Sequence, residues 1–226
     1  GKDSLACLYL MRAHWEKITV MWINTGAAYP ETVKQMAEIK ALVPHFIEVK
    51  SDQPANVKTY GYPADVLPIK NTVMGKWVHP NDGPLIQSYL ECCHVNIWKP
   101  MNQAVVDSGC TLVIRGQRKL EARRAPISSG HISAGIQYWF PIEDWSDEDV
   151  FDYLKAENIE IPEHYKATKT SLDCWSCTAY MDESIGRMHH MAKHHPEMLA
   201  DYRGRLDKIH GAIEGEHKHL ERARWQ

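Results

Sequence analysis

Apolar positions along the chain fall into two kinds of run. Residues 18–26, ITVMWINTG, are continuously apolar and β-branched and end in Thr-Gly, the pattern of a buried parallel strand feeding a loop. Pro30 then opens PETVKQMAEIKAL, which has helical period and an acidic first turn. Residues 45–52, HFIEVKSD, read as the next strand. Upstream, LACLYLMRAHW (5–15) has helical period, with Asp3 or Ser4 suited to its N-cap. The order helix, strand, helix, strand predicts an α/β fold built on an open, mostly parallel twisted sheet with helices on both faces.

Residues 53–90 are rich in Pro, Gly and aromatics and predict irregular structure with short helices. A helix is expected over 97–109 despite Pro100, closing at Gly109 as a C-cap. CTLVIRG (110–116) is a second strong buried strand. From Tyr138 the pattern is strand, turn and helix. Ser146 followed by Asp147, Glu148 and Asp149 marks the helix start. The last stretch, 183–226, is charged and helical in pattern, and no internal repeat or low-complexity linker interrupts the chain.

Composition changes this picture little. A hydrophobic fraction of 44% and a charged fraction of 24% in 226 residues predict a globular core. The net charge of −3 gives no global field toward nucleic acid or membrane, and no apolar run is long enough for a membrane helix. The 6 cysteines are unevenly spaced and no secretory signal precedes them, so reduced thiols or metal ligands in a cytoplasmic protein are expected. The first residue is Gly1 rather than methionine, from which an N-terminal portion upstream is expected.

Five stretches carry candidate chemistry. GKDS (1–4) precedes a helix, whose N-terminal amides and Lys2 suit a phosphate; an ordinary helix cap is the alternative. NTGAAYPET (24–32) lies between a strand and a helix, where open α/β sheets hold ligands, or is a plain connection. RGQRKLEARR (115–124) follows a strand and gathers Arg115, Arg118, Lys119, Arg123 and Arg124. Guanidinium forks suit phosphate or sulfate, and a solvated basic loop is the alternative. Cys92 and Cys93 with Cys174-x-x-Cys177 make four thiols. Neighbouring cysteines pair poorly in a disulfide and share a target only on a helix or turn. They suit the separated corners of an iron–sulfur cluster better than one zinc ion; zinc and unligated thiols remain alternatives. The histidines around 188–197 read as a solvated helical face, with a second metal site as the alternative, and Cys7 and Cys110 read as core.

Together these motifs resemble the sulfonucleotide reductases, the adenylylsulfate and phosphoadenylylsulfate reductases, within the ATP-pyrophosphatase-type (adenine nucleotide alpha hydrolase-like) α/β class. GKDS is similar to the end of the family's S-G-G-x-D-S loop. NTGAAYPET is similar to D-T-G-x-x-F-P-E-T, with Asn24 and Tyr29 substituted, and RGQRKLEARR to G-x-R-R-x-x-S, with Ala122 in place of serine. FPIEDWSDEDVFDYLKAENIEIPEHY resembles the stretch that follows, and the four cysteines resemble the set that holds a [4Fe–4S] cluster in adenylylsulfate-using members.

The resemblance implies a nucleotide-binding domain over 1–180, with its first strand upstream of residue 1, and a helical extension over 181–226. It implies nucleotide contacts from Gly1, Lys2, Asp3, Ser4, Thr25, Gly26, Gly116, Arg118, Lys119, Arg123 and Arg124. Cys92, Cys93, Cys174 and Cys177 are the implied cluster ligands. The family's nucleophile is a cysteine in a C-terminal Glu-Cys-Gly tail, and no cysteine follows Cys177 here. The implied reaction reduces the sulfonucleotide to sulfite, releasing AMP or adenosine 3′,5′-bisphosphate through an enzyme S-sulfonate. Thioredoxin or glutaredoxin would be the reductant, and a homo-oligomer is compatible with the family. Two alternatives stand beside it: an ATP-dependent adenylating or sulfur-transfer enzyme, where nucleic acid could be a partner, and a non-catalytic nucleotide-binding relative.

Overall fold

The computed structural model describes residues 1–121 and 125–225. Its helices are α1 (Lys2–Leu10), α2 (Pro30–Leu42), α3 (Gln53–Tyr60), α4 (Val73–Val78), α5 (Tyr89–Cys93), α6 (Lys99–Asp107), α7 (Asp147–Ala156), α8 (Ser184–His194) and α9 (Pro196–Arg224). Its strands are β1 (Thr19–Asn24), β2 (His45–Lys50), β3 (Tyr62–Ala64), β4 (Ile86–Ser88), β5 (Leu112–Ile114), β6 (Ile132–Ser133) and β7 (Ile136–Trp139). The α/β class read from the sequence holds. β1 pairs with β2, β3 with β4 in parallel, and β7 lies between β5, parallel to it, and antiparallel β6. The chain ends in a helical segment, α8 and α9. Among the described residues no helix is long and apolar enough to cross a membrane.

The chain clusters into two compact units, each drawn from several stretches. The first takes Gly1–Trp22, Gln35–Ile47 and Asn102–Ser171; the second takes Ile23–Lys34, Glu48–Met101 and Leu172–Gln226. The first unit's core joins Leu5, Ala6 and Cys7 of α1, Ile39, Val43 and Ile142, and Val150 and Leu154 of α7. The last two sit one helical turn apart, so α7 buries one stripe. Its start is fixed by a capping box: the Ser146 hydroxyl accepts from Asp149 N–H at 3.1 Å, and the Asp149 carboxylate accepts from Ser146 N–H at 2.7 Å. The second unit has two cores. One joins Tyr29, Leu172, Met191, Leu199 and Tyr202, and the other Ala64, Ile86 and Ile209.

Several expectations needed correction. α1 begins at Lys2 with Gly1 as its N-cap, because the Gly1 carbonyl already accepts from Leu5 N–H at 3.1 Å. A 3₁₀ segment, Arg12–Lys17, follows it. The helix expected over 97–109 starts as a π turn, His94–Trp98, before α6. Neither apolar strand is fully buried: β1 is half-buried after an exposed Thr19, and Leu112, on the edge strand β5, is 43% exposed. β3 and β4 emerge from a stretch read as irregular. Cys110 is half-buried rather than core. The histidine run is not uniformly solvated, since His190 is buried.

Gly61 links α3 to β3 at φ +99°, ψ −177°, a region open essentially to glycine, and a Cβ there would collide with the backbone of Leu85 and Ile86. Gly61→Ala is expected to destabilise the protein by about 1–3 kcal/mol from backbone strain alone, read as a lower denaturant midpoint with an unchanged slope. A midpoint equal to the parent's would show that the β3–β4 connection relaxes freely.

Candidate functional site

In the second unit, α5 ends in Cys92 and Cys93, and the π turn continues from it. On a helix the two side chains diverge by about 100°. Asn96, inside the π turn, donates to the Cys92 carbonyl at 2.8 Å and to its sulfur at 3.7 Å. The facing turn carries Cys174 and Cys177, closed by Cys177 N–H to Cys174 carbonyl at 3.1 Å. The loop after β1 anchors this turn: Ala28 bridges Cys174, and Trp175 N–H donates to the Ala27 carbonyl at 2.9 Å. The same loop is held on its other side, where the Thr25 carbonyl accepts from Gln53 N–H at 2.9 Å. None of the four cysteines is in a disulfide.

The thiols sense one another. Burial, then the neighbouring Cys177, pushes Cys92 up to about 11. Burial first and Cys177 second push Cys93 up to about 12. Cys174 reaches about 12 through burial, against a hydrogen bond from Thr25 and with Cys177 adding repulsion. Burial also raises Cys177, opposed by the Ala179 amide and the Arg187 charge. As thiolates they would be mutually repelling anions in a dry site, and a bound cation inverts that balance. Polar groups already point at them. The Thr25 hydroxyl lies 3.1 Å from the Cys174 sulfur and the Tyr180 hydroxyl 3.9 Å from that of Cys93. Gln53 is 1% exposed; its carbonyl accepts from the Ser176 hydroxyl at 3.0 Å, while its amide nitrogen faces the Cys92 sulfur without an aligned partner. Four free thiols with a buried spare donor beside them fit a thiolate-ligated metal or cluster, whose sulfurs accept such bonds.

Sequence reasoning had missed Gln53, Asn96 and Tyr180, none of which lies in a recognisable motif. Tyr180 is held at φ +63° because the Asp65 carboxylate accepts both its N–H at 3.0 Å and that of Met181 at 2.9 Å. Thr25, read as a nucleotide contact, has its hydroxyl on Cys174; Gly26 beside it takes φ +75°.

In the first unit Lys2, Arg118 and Lys119 are each paired with carboxylates. Lys2 is 3% exposed, with Nζ 2.9 Å from Asp3 Oδ2 and 2.8 Å from Asp147 Oδ1. Arg118 is 5% exposed. Its Nη2 donates to Asp147 Oδ1 at 2.8 Å and its Nη1 to the Trp145 carbonyl at 3.2 Å. Its Nε lies 2.7 Å from Asp3 Oδ1 as an ion pair without hydrogen-bond alignment. Desolvation works against the Asp147 anion, but bonds and charge from Lys2 and Arg118 hold its carboxyl below the usual range. Burial, then Asp3, raises Glu121. Gly116 packs onto the first turn of α1, where a Cβ would lie 2.5 Å from the Asp3 carbonyl carbon. The Lys2 N–H donates to the Tyr165 hydroxyl at 2.7 Å, and Ser4 is exposed. Lys119 makes a surface pair with Asp144 at 2.6 Å. Arg123 and Arg124, with Ala122, lie outside the described residues.

The thiol shifts fix a pH dependence. The unfolded thiols ionise near 9.0, and the folded ones nearer 11 to 12. Metal-free protein therefore keeps this contribution below pH 9.0 and loses it as pH climbs through the folded values, because the unfolded chain releases its protons first. Cys174→Ser should flatten the alkaline fall in stability measured by urea unfolding; equal slopes for both proteins would contradict the shared burial of the thiols.

Comparison with known proteins gives a consistent picture. The family model described as the phosphoadenosine phosphosulfate reductase domain matches residues 1–180. The chain is 24% identical over 164 residues to the adenosine 5′-phosphosulfate reductase of Neisseria meningitidis serogroup A, covering 71% of this chain and 62% of that one. It is 26% identical over 207 residues to the phosphoadenosine 5′-phosphosulfate reductase of Buchnera aphidicola, covering 89% of this chain and 71% of that one. The crystal structure of phosphoadenylyl-sulfate reductase from Candida auris, in a phosphate complex, shares the fold with a TM-score of 0.53 at 20% identity, over 76% of this chain and 77% of that one. The chain thus spans about three fifths of the length of its Neisseria relative. With a match that runs from Gly1 through both cysteine pairs, the chain belongs to the phosphoadenosine phosphosulfate reductase domain family.

Proposed function

We propose that this chain is the nucleotide- and cluster-binding body of a sulfonucleotide reductase, acting on adenylylsulfate or phosphoadenylylsulfate. The observation that carries the reading is the gathering of four disulfide-free cysteines from α5 and the 174–177 turn in a member of this family. Cys92, Cys93, Cys174 and Cys177 would hold a [4Fe–4S] cluster, one thiolate per iron. When bound, that group supplies ordering and an electrostatic bias to the site rather than electrons. Thr25, Asn96 and Tyr180 orient the sulfurs through the hydrogen bonds described above, and the Gln53 amide is the spare donor beside Cys92.

In the reaction a thiolate attacks the sulfate sulfur, and the bond from sulfur to the bridging phosphate oxygen breaks. Its electron pair leaves with AMP, or with adenosine 3′,5′-bisphosphate. A dithiol protein of the thioredoxin or glutaredoxin kind then attacks the enzyme's cysteine sulfur and releases sulfite. Its second thiol regenerates the enzyme thiol, so the dithiol's two electrons reduce the sulfur. Cys7 is unsuited to attack, since it sits in the core with its thiol pushed up to about 12 by burial and by Asp3. The Cys110 thiol is turned to the Val105 carbonyl at 3.7 Å. The family's attacking thiol lies in a Glu-Cys-Gly segment, and these 226 residues contain none. Lys2 and Arg118 are the cations for the substrate's anionic groups, with the half-exposed Asp147 carboxylate as the group an incoming anion displaces.

Protein purified without oxygen is expected to carry about four irons and four sulfides per chain, both lost in Cys92→Ser, and to bind one of the two sulfonucleotides. ATP–pyrophosphate exchange without binding of either sulfonucleotide would overturn the reading in favour of an adenylating enzyme. Arg118→Ala should weaken nucleotide binding by roughly tenfold or more while leaving the iron in place, and Asp147→Asn should tighten it. Normal binding by Arg118→Ala would place the anion elsewhere.

A further inference from the structure

Outside the thiols and the paired cations, the second unit gathers one more set of metal-binding side chains. Glu31 lies in the first turn of α2, His190 in α8, and His195 in the break between α8 and α9 that Pro196 imposes. Glu31 Oε1 is 2.8 Å from His190 Nε2 and 2.7 Å from His195 Nε2, and one donor atom from each residue lies within 4.8 Å of the other two. The other carboxylate oxygen, Oε2, is buried and has no hydrogen-bond partner among the described residues. Desolvation disfavours the Glu31 anion, yet bonds from His195, its own amide and His190 hold its carboxyl below the usual range. The ring of Tyr29, which is fully buried, closes the inner side, with centroids 6.1 Å from His190 and 6.3 Å from His195. His195 is 19% and Glu31 36% exposed, so the outer side is open to water.

We propose that Glu31, His190 and His195 form a site for a divalent transition ion, zinc being the ion these donors suit best. Two imidazole nitrogens and one carboxylate are a three-ligand set that leaves a coordination position for water. The spacing of the two histidines matches no single helical face; the Pro196 break turns His195 back toward the carboxylate. The ion replaces the two Nε2 protons that now hold the carboxylate and uses the spare Oε2. It staples the start of α2 to the α8–α9 junction. The loop between β1 and α2, which holds the Cys174 turn, is thereby fixed at its downstream end. This site stands or falls independently of the reductase reading, since it uses no cysteine.

The test is cobalt binding by the full chain, purified without oxygen, with Co²⁺ alone as the probe. Visible d–d absorption without thiolate-to-cobalt charge transfer is expected at about one ion per chain. Glu31→Gln and His195→Ala are each expected to weaken it by more than about tenfold. His189→Ala, at an exposed neighbour, should leave it unchanged. X-ray absorption on the parent chain gives a readout that needs no variant: nitrogen and oxygen neighbours around the ion responsible for the d–d bands support the site. Absence of binding, binding only with thiolate charge transfer, or undiminished nitrogen and oxygen ligation in both variants would overturn it.

Discussion

Desolvation of charge is the constraint on which the second unit depends. Cys92, Cys93 and Cys174 each feel the ionisation of Cys177, and burial raises all four thiols. A site of this kind is stable with its protons on, or with a cation in their place, and unstable as bare thiolates. The surrounding backbone is organised accordingly. The loop after β1 is tied to Gln53 on one side and to Cys174 and Trp175 on the other. Gln53 joins both, its main chain on Thr25 and its side chain on Ser176. The first unit solves the opposite problem. Lys2 and Arg118 are cations without solvent, and Asp3 and Asp147 neutralise them. Removing one partner from such a set costs more than the set itself contributes.

The two solutions set different terms for the proposed ligands. A bound anion would displace an internal carboxylate, because Asp147 is half-exposed and keeps its helix cap through Ser146 whichever way its side chain turns. A cluster on the thiols would instead displace protons. Acid would therefore oppose the second kind of binding, whereas the first would depend on whether the incoming group carries more charge than the carboxylate it displaces.

How much of this was legible depended on whether the signal was local. α2 begins and ends where Pro30 and the helical period said it would, and α7 starts at the Ser146 capping box. β3 and β4 were not legible, since three-residue strands, one with a proline in its centre, carry no period. The start of α1 was misjudged because the capping side chains of Asp3 and Ser4 outweighed a glycine whose role is set by Tyr165 and Ser171 far along the chain. The two cysteine pairs announced themselves by spacing. Their supporting residues did not, because an orienting glutamine or tyrosine is defined only by where the fold brings it. The histidine run was misread for the same reason: Glu31, which turns two of its members inward, belongs to a different motif.

The units are discontinuous in sequence, and that has an entropic consequence. The cysteines of α5 and those of the 174–177 turn flank the segment 94–173, which contains Asn102–Ser171, the longest stretch of the first unit. The cluster proposed for the thiols would close that segment into a loop through its metal–sulfur bonds. Such a loop would span most of a unit that contributes none of the ligands. Loading the second unit would then bear on the stability of the first through connectivity alone.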